Sequence, residues 1–258
     1  MSDELRGGVQ SVARALQALE LIAEAGELGV TDLGRRLGVH KATASRLAAT
    51  LAEGGMVERD PASDRYRLGF GLIRLAGTAM AGLDLVRTSR PVLEDLAERT
   101  HESVTLGVFS NDEVIYVDQV SSPRLIVSGN WIGRRTPLHC SASGKVFLAW
   151  LPMDKRDRLL ARPLEVATPR TVTDLAILQR QLEEARIRGY ATILEEIEEG
   201  LNAVAAPVRQ AGGEVVAAIA VSGPSFRVRP VDLPRLGRVT VDAAAAVSRR
   251  LGYAVRPG

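Results

Sequence analysis

Residues 11–68 carry the pattern that most restricts what this chain can fold into. From Ser11 to Ala25 the apolar residues Val12, Ala15, Leu16, Leu19 and Ile22 recur at spacings of three and four, which predicts a helix with Ser11 as its N-cap. Gly26 and Gly29 end it, and Thr31 is placed to cap a short second helix from Asp32 to Leu37. Gly38-Val39-His40 then forms a Gly-led turn into a third helix, Lys41 to Glu53. Ala44, Leu47, Ala48 and Leu51 make its inner face, and Lys41, Thr43, Ser45, Arg46 and Thr50 lie elsewhere around it. Gly54-Gly55 stops the third helix. Two short runs, Met56 to Arg59 and Arg65 to Leu68, then flank the turn residues Asp60-Pro61-Ala62-Ser63-Asp64, the signature of a β-hairpin.

A helix, a short helix, a tight turn, a third helix and a hairpin is the order of a winged helix-turn-helix, which predicts binding to double-stranded operator DNA. A helix fits the major groove, and the start of the third one would read base edges there with His40, Lys41, Thr43, Ser45 and Arg46. Arg14, Arg35 and Arg36 are candidate backbone clamps. Arg59, Arg65 and Arg67 make the hairpin a cationic wing, suited to a phosphate ridge or the minor groove. Any one of these arginines alone would read equally well as ordinary solvated surface.

The rest of the chain mixes short strands with helices. A linker helix is expected from Leu72 to Leu85, with an apolar face of Leu72, Leu75, Ala76 and Met80, and another helix from Val86 to Arg99 with Pro91 near its start. Val104 to Phe109 and Val114 to Val120 flank a hairpin turn, and further strands are expected at 125–128, 191–194, 203–208 and 215–221. Helices are expected from Ser141 to Leu151, Asp154 to Leu160, Asp174 to Gly189 and Asp232 to Leu251. This is an α+β pattern. The boundary falls near Gly82, giving a DNA-binding domain at 9–70, a linker helix at 71–83 and a sensor-like domain at 84–254.

Composition narrows the alternatives. With 258 residues and 46% hydrophobic content there is material for two cores, and the longest apolar stretches, such as Val215 to Val221, are too short to span a bilayer. The beginning MSDELRGG lacks the order of a secretory signal, so a cytoplasmic protein with no membrane partner is expected. The single cysteine, Cys140, cannot form an intrachain disulfide. A net charge of +2 leaves the partner open, because clustering matters as much as total charge.

Catalytic motifs are missing. Ser143-Gly144-Lys145 is followed by Val146, and His139 stands where a phosphate loop needs its first glycine. No GxSxG elbow is present. His40, His101 and His139 lack metal-ligand spacing. A structural role is preferred for His139 and Cys140, though that pair could contribute to a metal site. The carboxylate pairs Glu195-Glu196 and Glu198-Glu199 read as a solvated turn. No enzyme activity, cofactor or metal is expected.

One segment suggests a ligand. Pro137 precedes a helix whose N-cap is Ser141, so the N–H groups of Ala142, Ser143 and Gly144 would face outward at the positive end of the helix. A small carboxylate could be held there by those donors and the hydroxyls of Ser141 and Ser143. The plain alternative is a capped helix with no ligand.

Val9-Gln10-Ser11-Val12-Ala13-Arg14-Ala15, the run Leu37 to Leu51, and Tyr66-Arg67-Leu68-Gly69 resemble the DNA-binding half of the IclR family of transcriptional regulators. Pro137-Leu138-His139-Cys140-Ser141-Ala142-Ser143-Gly144-Lys145 resembles that family's effector-domain signature. A third match comprises Glu196-Ile197-Glu198-Glu199-Gly200, Val204-Ala205-Ala206-Pro207-Val208 and Val221-Ser222-Gly223-Pro224. In this order the pieces are far more specific than any one of them. The resemblance implies a GAF-like effector domain joined by a linker helix to a winged helix-turn-helix. It also implies homodimers or dimers of dimers on operators, a small organic-acid effector, and repression more often than activation. It adds Ile193, Glu195, Leu201, Ala203, Ala220 and Ser222 to Ser141, Ala142 and Ser143 as effector-pocket residues. Ala203 and Ala220 stand where some members have polar or thiol side chains, which favours a larger, aromatic acid over a very small one, with Trp131 as a wall and Arg124 as a counter-ion. The rival readings are a metabolite-binding enzyme whose helical N-terminus serves dimerisation, and a protein-interaction module. The first would require a nucleophile or a metal constellation that the sequence lacks, and the second does not explain a basic hairpin behind a helix-turn-helix.

Overall fold

In the computed structural model, helix α1 (Gln10–Ala25) begins one residue before the expected cap. Val9 occupies the cap position, its carbonyl accepting from the N–H groups of Val12 and Ala13, and Ser11 lies inside the first turn. The model describes residues 9–81, 84–121 and 129–254. The two residues of β1 (Leu28–Gly29) run directly into α2 (Val30–Leu37), so Gly29, rather than Thr31, precedes that helix. Strand pairing of Leu28 and Gly29 sets where α2 can start, which local cap chemistry could not reveal. Gly38, at a φ of 64°, turns the chain into α3 (Lys41–Glu53).

β2 (Val57–Arg59) and β3 (Arg65–Leu68) form the expected hairpin, and β1 adds a third strand on the far side of β3. Ile22, Leu33, Ala48, Leu51, Val57 and Tyr66 pack into the core beneath these elements. Gly69 precedes α4 (Phe70–Ala81), and Gly71 lies in its first turn. A Cβ on either would stand 2.4 or 2.5 Å from the Gly55 carbonyl oxygen, so only glycine allows this close approach.

The chain divides into two units between Leu83 and Asp84. The second begins with α5 (Asp84–Thr100), which starts earlier than expected and therefore carries Pro91 in its interior instead of near its start. β4 (Ser103–Ser110) and β5 (Glu113–Val120) follow, joined by Asn111 and Asp112, both at positive φ as a two-residue hairpin turn requires. Then come β6 (Arg135–Pro137), α6 (Ala142–Trp150), α7 (Met153–Leu160) and α8 (Leu175–Arg188). β7 (Ala191–Leu194), β8 (Leu201–Arg209), β9 (Val215–Pro224) and α9 (Leu233–Arg250) complete the unit. The strand expected at 125–128 and the boundary residue Gly82 lie outside the described residues.

The strands form one antiparallel sheet in the order β6-β5-β4-β9-β8-β7. Its two faces read directly from alternation along the strands. Val204, Ala206 and Val208 with Ala217, Ile219 and Val221 pack against α5 and α9. Leu201, Ala203 and Ala205 with Ala218 and Ala220 face α6 and α8. The chain is thus α+β. Among the described residues no helix is long and apolar enough to cross a membrane.

Candidate DNA-binding surface and effector cavity

Helix α3 turns Ala44, Ala48 and Leu51 into the core of its unit. His40, Lys41, Ser45 and Arg46 are left exposed, with Thr43 half-buried. Ala42 and Ala49 share that outer surface, so little bulk stands between it and an approaching groove. Among the described residues no carboxylate pairs with Lys41, Arg46, Arg36 on α2 or Arg14 on α1.

The hairpin differs from expectation. Arg59 pairs with Asp64, Arg65 with Glu27 at 3.1 Å and Arg67 with Glu58 at 3.3 Å, and Arg35 pairs with Asp32. The segment 57–68 holds three arginines and three acids, so the wing carries no net charge. Its arginines are locally neutralised, and the unpaired cations sit on the helices. Exposed pairs of this kind contribute roughly 0–1 kcal/mol, so a phosphate can still displace the carboxylate.

In the second unit a cavity of about 20 Å³ lies under the start of α6. Its floor follows from strand register. Ala203 pairs with Ile193 on one side and Ser222 on the other, and Ala220 pairs with Thr105. These side chains point to one face, and most are small, which leaves a gap beneath Ser141 and Ala142. Leu201, Ile197, Tyr116 and Trp131 close it. Tyr116 and Trp131 meet edge to face at 5.6 Å, and the Arg134 guanidinium lies 4.7 Å from the Trp131 ring centre. Thr105, Tyr116 and Ile197 are additional to the sequence reading. Alternation could have marked Thr105 and Tyr116 only once the register of β4 against β9 and β5 was known, and Ile197 lies on the turn after β7, where alternation gives no signal.

Of the expected pocket residues, Ser141, Ala142, Ile193, Leu201, Ala203, Ala220 and Ser222 come together here, with Trp131 as a wall. Ser143 and Glu195 do not line the cavity. The Ser143 hydroxyl is buried beside the Tyr116 phenol, whose pKa is raised by burial against the opposing effect of the Thr136 and Ser143 hydroxyls. Glu195, at positive φ, accepts from the Gly200 N–H at 2.9 Å and faces Arg170 at 3.5 Å, which braces the turn after β7. Arg124 lies outside the described residues.

The donors also differ. Ser141 Oγ donates to the Pro137 carbonyl at 2.7 Å and accepts from the Gly144 N–H at 3.1 Å. Its proton is committed and Gly144 is capped, leaving the Ala142 and Ser143 N–H groups as the open donors of that turn. Gly144 packs so closely on the preceding loop that a Cβ would stand 2.3 Å from the Leu138 carbonyl oxygen. Among the described residues Trp131 Nε1 is buried without an acceptor.

Glu196 is not part of a solvated turn. Lys145, in the middle of α6, places Nζ 2.6 Å from both Glu196 oxygens and 2.7 Å from Gln181 Oε1, with only 1% and 6% of the two charged side chains exposed. Burial pulls Lys145 below and pushes Glu196 above their ordinary values, and each charge opposes the effect on the other. The lone sequence signal was a lysine inside an otherwise apolar helix. Its partner lies 51 residues away, beyond any local pattern. His139 Nε2 is 2.8 Å from the Glu165 carbonyl, and burial lowers its pKa. Burial raises the Cys140 thiol to about 11. Among the described residues no group of three or more His, Cys, Asp or Glu could hold a metal ion.

Comparison with known proteins bears on both halves. Residues 11–61 match the IclR helix-turn-helix domain, and residues 77–249 match the C-terminal domain of bacterial IclR transcriptional regulators. The chain belongs to the IclR family. This IclR-family protein is 34% identical over 247 residues to the transcriptional regulator XynR of Escherichia coli, covering 95% of this chain and 98% of that one. It is 30% identical to the transcriptional repressor AllR of Klebsiella pneumoniae, covering 95% of this chain and 91% of that one. Among solved structures, an IclR homologue from Microbacterium hydrocarbonoxydans complexed with 4-hydroxybenzoate superposes with a TM-score of 0.83 at 28% identity, covering 94% of this chain and 99% of that one. The chain is therefore a DNA-binding transcriptional regulator and not an enzyme.

Proposed function

We propose that this IclR-family regulator is a repressor that binds operator DNA as a homodimer or dimer of dimers and is controlled by a monocyclic aromatic acid in the cavity under α6. The observation that carries the reading is the cavity itself. It is mostly apolar and is lined by Trp131, whose buried indole N–H has no partner among the described residues, and by Ser222 and Thr105, whose hydroxyls make no side-chain hydrogen bond among the described residues. An apolar chamber with a few convergent donors suits an acid with a hydrophobic body. Lys145 is engaged by Glu196, so a carboxylate would be held by the open N–H groups at the α6 N-terminus and by the Ser222 and Thr105 hydroxyls of the sheet.

As it stands, the cavity has room for about one water molecule. An aromatic acid can enter only if Trp131, Ile197 or the start of α6 moves. Binding is then tied to a change of conformation, and a ligand that prefers one conformation shifts the population toward it. On DNA, Lys41, Thr43, Ser45 and Arg46 of α3 would face base edges and phosphates. His40 would approach the backbone with Arg14, Arg35 and Arg36, and Arg59, Arg65 and Arg67 would exchange their carboxylate partners for phosphate.

The 4-hydroxybenzoate bound by the Microbacterium homologue and the repressor relative AllR support the effector class and the sign of regulation. The test is the effect of 4-hydroxybenzoate on thermal unfolding of the wild type and of Ser222→Ala. A saturable rise in Tm that weakens about tenfold in Ser222→Ala supports the reading. Equal shifts with acetate, or an unchanged response in the variant, would place the effector elsewhere.

A further inference from the structure

A second cleft opens at the edge of the sheet, away from the effector cavity. β7 begins at Ala191, opposite Ala205, so from Ala206 to Arg209 β8 is paired with β9 on one side and, among the described residues, has no strand on its outer side. That edge is closed to a further strand. Pro207 has no N–H, and the Arg209 N–H donates to Ser248 Oγ of α9 at 2.9 Å. The space left is a cleft of about 270 Å³ bounded by Trp150, Pro207 and Tyr253 and by three arginines, Arg186, Arg209 and Arg249.

Among the described residues the arginines lack acidic partners. The half-buried Arg209 guanidinium lies 5.4 Å from the Trp150 ring centre and 5.9 Å from that of Tyr253, and one of its N–H groups donates to the Gly213 carbonyl at 2.9 Å. Arg186 donates to the Ala149 carbonyl near the end of α6. Among the described residues none of the three has a carboxylate within ion-pair distance. Burial lowers the pKa of Arg209. A desolvated cation is ordinarily paired. Guanidinium forks match planar oxyanions, and the flanking rings match an apolar body.

We propose that this cleft is a binding site, separate from the effector cavity, for a monocyclic aromatic anion, a carboxylate or a phosphate ester, whose charge meets Arg209 and Arg249 and whose ring packs against Trp150 and Tyr253. The chain has two tryptophans, Trp131 in the effector cavity and Trp150 in this cleft, so each site carries its own fluorophore.

In full-length Trp131→Phe protein, benzoate and phenyl phosphate should quench Trp150 saturably, and inorganic phosphate at equal ionic strength should not. Arg209→Gln should weaken the titration at least tenfold. Arg249→Gln, at an exposed position that cannot unfold the domain, should weaken it about threefold. The parallel Trp150→Phe protein reports on Trp131 alone, and that titration should ignore Arg249→Gln. The proposal is overturned if Trp150 shows no saturable response, if inorganic phosphate quenches equally, or if the response survives both arginine changes. It is also overturned if Arg249→Gln dissociates an oligomer in sedimentation velocity with no anion dependence, which would make the cleft a contact between copies.

Discussion

Lys145 Nζ lies 2.6 Å from both carboxylate oxygens of Glu196, a buried contact that ties the middle of α6 to the turn carrying Ile197 into the effector cavity. A buried ion pair of this kind adds little net stability over an apolar pair of the same shape, yet it is costly to break from one side. Lys145→Met leaves Glu196 buried and alone, and it should cost about 3–5 kcal/mol in urea unfolding. Adding Glu196→Gln to Lys145→Met removes the stranded charge and should restore a good part of the loss. A single variant that costs under about 1 kcal/mol would show that the pair does not brace this region.

Cys140 is buried, and its thiol is raised to about 11. In the native protein at pH 8 it should react with a thiol reagent at least about 100-fold more slowly than a free cysteine, and at the ordinary rate after unfolding in urea. The folded pKa exceeds the unfolded one. The thiol's contribution to stability is therefore complete below about pH 8.5 and is lost as pH rises through about 11, a loss on the order of 3 kcal/mol. Rapid native labelling, or stability flat across that alkaline range, would contradict this environment.

The unpaired cations of α3 and the paired arginines of the wing should behave differently on DNA. Arg46→Ala should leave Tm unchanged, weaken operator binding about tenfold and reduce the slope of log K against log salt by about one. Arg59→Gln should have a smaller effect, because part of its phosphate contact is offset by loss of Asp64. Fluorescence anisotropy across a salt series distinguishes the two. A larger loss from Arg59→Gln would return the leading role to the wing.

Helix α4 exposes Phe70, Ile73 and Leu75, at 73%, 65% and 50% of their surface. Leu75 was expected on the apolar face with Leu72, which is half-buried, and the side chains of Ala76 and Met80 are outside the description. In a homodimer these exposed positions are the natural contact. Ile73→Glu should shift sedimentation toward the monomer and weaken operator binding while the Tm of each unit holds. An unchanged sedimentation coefficient would remove α4 from the interface.

Much of this architecture is legible in the sequence because it rests on local physics. The period of α3, the Gly38 turn and the 57–68 hairpin are each specified within a few residues. The Ser141 cap is local too, and the structure keeps it. What escaped depends on partners distant in sequence. β1 exists because Leu28 meets Tyr66, Thr105 faces the cavity because it pairs with Ala220, and Lys145 is buried because Glu196 lies above it. The neutral wing was readable from its three acids, but a count of arginines alone concealed it.

Acid-controlled operator binding is what the proposed function requires of this protein. Its most direct test is binding of the full-length protein to its own upstream duplex DNA across a salt series, with and without 4-hydroxybenzoate and other monocyclic aromatic acids. With Arg14, Arg36, Lys41 and Arg46 engaged in both protomers of a dimer, log K should fall against log salt with a slope of roughly −7, and at least one acid should weaken the complex tenfold or more. Binding that ignores salt, or salt-sensitive binding that none of the acids alters, would contradict it.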